Sequence, residues 1–319
     1  MRSWREHTAS GEELIRPKVL VLLAAYNGSK WIVEQIETIL GQVGVDVHLL
    51  ISDDGSTDGT LAQIERYAND PRVRTLSPAS PSGSAAQNFL RLIRNTSAED
   101  YAFVALSDQD DIWHEKKLFR GCSALNDRSA AGYSCAVTAF WADGREATLR
   151  QADRVTKSDF MFEGIGQGCT FVVARDHYRR LREFFCQNST TSAHLHYHDW
   201  AIYAISRSWK VRWIFDQEPM MNYRQHSSND TGARVSSGGI IMRLRLIKGG
   251  WYARQLRVIA QLCSAADPSN ATIAEWNAIL GLPSGLMRRY RIAYFCLMGG
   301  RRRRSDNLVL LFAAVAGWI

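Results

Sequence analysis

The first hundred residues alternate short, uniformly apolar runs with segments whose apolar positions recur every three or four residues. Val19 to Ala25 (VLVLLAA), Val47 to Ser52 (VHLLIS), Val73 to Leu76 and Tyr101 to Leu106 (YAFVAL) have strand length. Trp31 to about Leu40, Thr60 to Tyr67 and Asn88 to Arg94 carry the helical period. Strands apolar on both faces, separated by helices, predict a parallel sheet covered on both sides. Polar loops follow the strands: YNGS after the first, DDGSTDG after the second and SDQDD after the fourth. In open α/β sheets the carboxyl edge of the strands is where ligands bind.

Beyond Trp113 the pattern loosens. Tyr133 to Phe140 and Phe171 to Ala174 read as strands, and Asp176 to Phe185 and Asp199 to Ser206 as helices. Val211 to Phe215 and Met220 to Arg224 read as two further short strands, and from Ile240 onward the chain reads as helices rich in Arg. The expected organisation is a polar leader over 1–17, an α/β domain over 18–235 and a basic helical C-terminal region over 236–319, joined near ARVSSGG.

The acidic loops carry the candidate chemistry. DDGSTDGT, Asp53 to Thr60, leaves a strand and opens a helix, with Gly55 and Gly59 for tight turns and Thr57 or Asp58 as a helix cap. A plain capped turn needs one such oxygen, not three carboxylates. Asp54, Ser56, Asp58, Gly59 and Glu65 also fall at calcium-loop positions one, three, five, six and twelve, but that loop requires a preceding helix and VHLLIS is a strand pattern. In SDQDDIW, Asp108 and Asp110 stand two apart on an extended segment and point the same way, with Asp111 next. Carboxylates crowded at one strand end repel unless a cation or a pKa rise compensates. A hard cation with one or two carboxylates and a diphosphate completes that arrangement.

Together YNGS, DDGSTDGT and SDQDDIW resemble the family-2 glycosyltransferases with the GT-A fold, a Rossmann-like, mostly parallel mixed sheet with flanking helices. GQGCTFVVAR (Gly166 to Arg175), HDWAIYAI (His198 to Ile205) and YRQHSSN (Tyr223 to Asn229) are similar to the bacterial rhamnosyltransferase branch. The resemblance spans about residues 18–230. It implies that Ala25, Tyr26 and Asn27 line a nucleotide pocket, that Asp53 and Asp54 contact base and ribose, and that Asp108 lies near the ribose. It further implies Asp110 and His226 at a Mg²⁺ or Mn²⁺ site on the diphosphate, Asp199 as catalytic base, and Gly168 and Cys169 near sugar or acceptor. Many relatives carry Lys or Arg before the Asn of the third helix; here Gln87 precedes Asn88. Out of that context Asp199 also reads as a carboxylate at a helix N-terminus, stabilised by the macrodipole, and His226 as a loop histidine. His194, His196 and His198 alternate, as a metal comb or a half-exposed extended segment would.

The function implied is an inverting, metal-dependent transfer of a sugar, L-rhamnose from dTDP-rhamnose, to a saccharide or lipid-linked acceptor in cell-surface polysaccharide assembly. The alternatives are another hexosyltransferase using a UDP- or GDP-sugar, an inactive sugar-nucleotide-binding module, or a basic nucleic-acid-binding protein. The formal net charge is +7, with Arg288, Arg289, Arg291 and Arg301 to Arg304 late in the chain. No nucleic-acid-reading motif accompanies them, and an acidic rim repels phosphate, so a nucleic-acid partner is not expected. Basic residues beside LVLLFAAVAGWI suit an anionic membrane surface, or equally a helix packed on the domain with its arginines in solvent. MRSWREHTASGEEL has no apolar core and no run reaches the roughly 20 apolar residues of a spanning helix, so a cytoplasmic location, at most on the inner face of the membrane, is expected. The six scattered cysteines are expected as free thiols.

Overall fold

The computed structural model describes residues 16–77, 79–151, 154–226 and 247–319. Its centre is one nine-stranded sheet. β1 (Lys18–Ala25), β2 (Asp46–Asp53), β3 (Val73–Thr75) and β4 (Phe103–Ser107) lie side by side in the order β3-β2-β1-β4, all parallel. Every residue of β1 after Lys18 is buried, and so is all of β4, as strands covered on both faces require. β8 (Val172–Ala174) joins β4 antiparallel, and β6 (Gly132–Trp141) joins β8 antiparallel; β9 (Trp213–Gln225) runs parallel to β6, and β5 (Ile112–Trp113) closes the edge against β9. β7 (Glu146–Leu149) pairs β6 as a hairpin turned through Gly144 at φ +84. From these pairings, β1, β2, β4 and β9 all point their carboxyl ends at the same rim.

The helices of this part follow their strands. α1 (Ile32–Leu40) buries Ile32, Ile36 and Ile39. α2 is Thr60–Glu65, and α3 (Ala85–Asn95) buries Phe89, Leu90, Leu92 and Ile93 below a cap in which Ser84 Oγ accepts from the Gln87 N–H at 3.3 Å. α4 is Lys117–Asp127 and α5 is Arg175–Gln187. The two short strands expected over 211–224 are one strand, β9, whose register against β6 shifts at Cys135/Ala136 and Ala136/Thr138. Pro219 sits at that irregularity: without an N–H it cannot extend a regular ladder, so it reads as a break where the strand only bulges.

The chain divides into two compact units. The first takes in residues up to 151 together with 166–187 and 211–232, and holds the whole sheet. The second takes in 152–165, 188–210 and 233–319. The expected junction near 235 lies outside the described residues, as does the leader up to residue 15. The second unit comprises the short α6 (Ser189–Ser192), α7 (His198–Ser208), α8 (Trp251–Ala266), α9 (Ala271–Leu280), α10 (Leu286–Leu297) and α11 (Arg304–Ala316). Trp276, fully buried, packs edge-on against Phe162 with ring centroids 5.0 Å apart. Asp159, fully buried, accepts from Arg207 at 2.9 Å and from the Tyr203 hydroxyl at 2.9 Å, and pairs with Arg302 at 3.4 Å. Glu163 accepts from the Arg302 backbone N–H at 2.6 Å and pairs with Arg301 at 3.3 Å, while Arg302 also donates to the Gly164 carbonyl. The basic run at 301–304 therefore does not all face outward: Arg301 and Arg302 are internal counter-charges, and only Arg303 and Arg304 are exposed. All six cysteines are free.

Candidate active site

The YNGS and DDGSTDG loops are stitched to each other. β1 and β2 end in register, Ala25 opposite Asp53, so their loops leave together. Asn27, in the left-handed region at φ +49, donates its N–H to Ser56 Oγ at 2.8 Å and accepts the Thr57 N–H at 2.8 Å. Gly28 donates to Thr60 Oγ1 at 2.8 Å. Asp53 turns back on its own loop, accepting the N–H groups of Gly55 at 3.0 Å and Ser56 at 2.9 Å. Burial works to raise the Asp58 carboxyl, but hydrogen bonds from Thr60 and Ser29 outweigh it and bring it down to about 2.

Asp54 is buried and faces inward. Its oxygens accept the Ser82 N–H at 2.6 Å and the Gly83 N–H at 3.1 Å, and pair with Arg91 at 3.3 Å. A calcium loop is thereby excluded here: a strand precedes it, and the carboxylate that would be its first ligand already has three protein partners across its two oxygens. Arg91 also donates to Ser52 Oγ at 2.8 Å and to the Asp53 carbonyl at 2.8 Å. Arg91 lies one helical turn beyond Gln87 on α3, with its guanidinium turned inward onto Asp54. Asn88 joins the two strand ends by donating to the carbonyls of Ala25 at 3.2 Å and Ser52 at 3.0 Å.

The third acidic segment lies between β4 and β5. Gln109 clamps Tyr26 from both sides, accepting its N–H at 2.6 Å and donating to its carbonyl at 2.7 Å. That leaves the Tyr26 side chain 57% exposed, free to face a ligand. Asp110 accepts from, or shares a proton with, His226 Nε2 at 2.7 Å. The His226 ring stacks on Trp31, with centroids 4.2 Å apart at 18°. Because β9 runs with β4, its carboxyl end delivers His226 to the rim that holds the aspartates. Arg224 secures this: its Nε donates to the Asp110 carbonyl at 2.9 Å, its N–H to Asp111 at 3.2 Å, and its guanidinium pairs with Glu34 at 2.5 Å.

Beneath the rim, Asp111 is fully buried with Cys169, and ligand atoms of Asp108, Asp111 and Cys169 lie within 4.8 Å of one another. Burial, then the neighbouring charges of Asp110 and Asp108, raise the Asp111 carboxyl well above the usual carboxylate range. Burial likewise raises the Cys169 thiol, so that it stays protonated. Lys117, fully buried over the Trp113 ring at 3.3 Å, is pushed down to about 8 by burial. Asp110 and His226, 2.7 Å apart, offer an oxygen and a nitrogen donor that suit Mn²⁺, and Mg²⁺ through the oxygen, whereas the protonated thiol gathered with Asp108 and Asp111 does not. The residues present thus fit a divalent ion.

The eight rim residues named from the sequence, Ala25, Tyr26, Asn27, Asp53, Asp54, Asp108, Asp110 and His226, all belong to the first unit; Asp199 belongs to the second. Asp199 opens α7, accepts the Trp200 N–H at 2.7 Å, and is raised by burial to about 6 against that bond. His194, His196 and His198 form no metal-holding group among the described residues. Gln255 ties the first two, accepting the His196 N–H at 3.0 Å and donating to the His194 carbonyl at 3.0 Å, and burial pushes His198 down to about 3. Arg91, Gln109, Trp31 and Arg224 were not legible as site residues. Gln109 and Arg224 fall inside the SDQDDIW and YRQHSSN motifs, but nothing in the string gives their contacts to Tyr26 and Asp110.

A rim that gathers carboxylates from two strand ends, a tyrosine and an asparagine from a third and a histidine from a fourth, on this mixed sheet, defines a glycosyltransferase of the GT-A type. Solved structures share the fold. S. aureus TarS with UDP-GlcNAc superimposes with a TM-score of 0.52 at 15% identity, over 94% of this chain and 88% of that one. A longer TarS chain is spanned over 53% of its length. The mannosyltransferase PcManGT of Pyrobaculum calidifontis, with GDP-Man and Mn²⁺, gives a TM-score of 0.52 at 16% identity, over 98% of this chain and 90% of that one. The chain belongs to glycosyl transferase family 2, whose model matches residues 20–180. It is 34% identical over 272 residues to the dTDP-rhamnosyl transferase RfbG of Shigella flexneri, an alignment covering 84% of this chain and 94% of that protein.

Proposed function

We propose that this glycosyltransferase moves L-rhamnose from dTDP-rhamnose to a hydroxyl of a saccharide or lipid-linked acceptor in cell-surface polysaccharide assembly, with inversion at the anomeric carbon. The likeness to RfbG over nearly the whole of both chains supports the donor. The observation that carries the reading is the meeting of the Tyr26, Asp53 and Asp108–Asp110 loops with His226 on one rim.

In this reading Ala25, Tyr26, Asn27 and Asp53 receive the nucleoside. Asp54 acts from beneath by fixing the Ser82–Gly83 backbone and Arg91. Asp108 lies toward the ribose, and Asp110 and His226 would hold Mg²⁺ or Mn²⁺. A divalent ion there offsets the charge that develops on a departing diphosphate. Asp199 takes the proton of the acceptor hydroxyl as its oxygen bonds to the anomeric carbon, while the bond to the diphosphate breaks and the nucleotide leaves with the electron pair.

A thermal-shift panel of dTDP-rhamnose, UDP-sugars and GDP-sugars, with and without Mn²⁺, tests this. A selective, Mn²⁺-enhanced shift by dTDP-rhamnose is expected. A selective shift by a UDP- or GDP-sugar would replace the donor, and a shift indifferent to Mn²⁺ and to Asp110→Ala would remove the metal.

A further inference from the structure

The second unit ends in a helical hairpin that carries most of the large apolar side chains exposed among the described residues. On α10, Leu286 is 82% exposed, Met287 66%, Tyr290 66% and Leu297 62%. On α11, Leu308 is 66% exposed, Phe312 58% and Val315 63%. The helices run antiparallel: the Cys296 carbonyl at the end of α10 accepts from Asn307 near the start of α11 at 3.2 Å, and the Arg289 guanidinium lies against Gly317.

These residues are not scattered. At about 100° per residue, the buried side chains of α10, Ile292, Phe295 and Cys296, occupy one arc. Leu286, Met287, Tyr290, Tyr294, Leu297 and Met298 fill the opposite arc. α11 repeats the pattern, burying Leu310, Ala313 and Ala314 and presenting Leu308, Phe312 and Val315. The polar residues bordering the stripes are of one sign. Arg289 and Arg291 flank the apolar arc of α10 on its two sides, and exposed Arg303 and Arg304 stand at the start of α11. From residue 283 to residue 319 the one acidic residue is Asp306.

We infer that the α10–α11 hairpin is a docking surface for an anionic lipid bilayer, lying in the headgroup plane with its apolar stripes inserted and its arginines on lipid phosphates. Charge selects this occupant. A second copy of the hairpin would bring like-charged arginines together, whereas an anionic membrane supplies the counter-charge along with apolar depth. No helix among the described residues is long and apolar enough to cross a membrane, so the attachment is interfacial. The surface differs from the one the sequence suggested: Arg301 and Arg302 are internally paired, and α10 contributes as much as the terminal apolar run.

The test is flotation of the full chain with phosphatidylcholine vesicles, with and without phosphatidylglycerol, across a salt series. Co-flotation is expected only with phosphatidylglycerol and should weaken with salt. Arg291→Ala with Arg304→Ala should lower partitioning by about fivefold per arginine. Tyr290→Glu with Leu297→Glu should abolish it, and melting temperatures should hold in both variants because all four side chains are exposed. Equal flotation with neutral vesicles would overturn the inference, as would no flotation of the unsubstituted chain. So would a concentration-dependent dimer that the glutamate variant dissolves while flotation stays unchanged.

Discussion

Asp199 carries a carboxyl raised by burial to about 6. A general base works deprotonated, so transfer is expected to fall about tenfold per pH unit below pH 6 and to level off above it. Asp199→Asn should abolish transfer while leaving the thermal shift by the donor in place. The linkage runs the other way for stability. A carboxyl whose folded value lies above its unfolded one favours the fold when protonated, and that contribution is lost as pH rises through about 6. Asp199→Asn should therefore raise the melting stability at pH 8, by on the order of 2 kcal/mol, and gain little at pH 4. An unchanged pH profile in the unsubstituted enzyme, or full turnover by the variant, would take Asp199 out of the reaction. At this scale the sequence exposes carboxylates well and their partners poorly. Asp53, Asp54 and Asp110 look alike in a string. Only packing shows that Asp54 is turned inward onto Ser82, Gly83 and Arg91, whereas Asp110 pairs with a histidine 116 residues away.

The site is made by strand ends, and strand ends are local enough to read. β1, β2 and β4 come from uniformly apolar runs bounded by Gly, Asp and Ser, and they lie within a residue or two of the expected spans. β5, two residues long, has too few side chains to show a period, and β9 hides its continuity behind Pro219. Gly28 shows what the loops demand. A Cβ there would run into the Gln109 side chain, whose amide holds the Tyr26 backbone. Gly28→Ala is expected to push Gln109 off Tyr26, weakening donor binding by roughly tenfold for the loss of about 1.4 kcal/mol, with melting little changed. Isothermal titration with the nucleotide sugar checks this; undiminished affinity would mean that the clamp does not shape the pocket.

In the molecule as a whole, the second unit is the part least visible in the sequence. It assembles 152–165, 188–210 and 233–319, and no local pattern announces that Asp159 and Glu163 belong with arginines near the C-terminus. The charge surplus misleads for the same reason, since two arginines of the 301–304 run are internal partners. Arg302→Met leaves Asp159 with Arg207 as its one cationic partner beside the Tyr203 hydroxyl and removes the Arg302 guanidinium from Glu163. It should cost about 3–5 kcal/mol by chemical denaturation, most of it desolvated charge left unmatched. Melting indistinguishable from the unsubstituted chain would show that this cluster is not structural.

The Glu163 carboxylate and the Arg302 amide that meets it are separated by 139 residues. On the ribosome, at about 5–20 residues per second, Glu163 emerges on the order of ten seconds before its arginine partners exist. A nascent chain halted before Arg302 carries a desolvation-averse acidic segment that cannot be laid down, so nonsense and truncation alleles late in the gene should yield aggregation and chaperone retention even when the catalytic rim is complete.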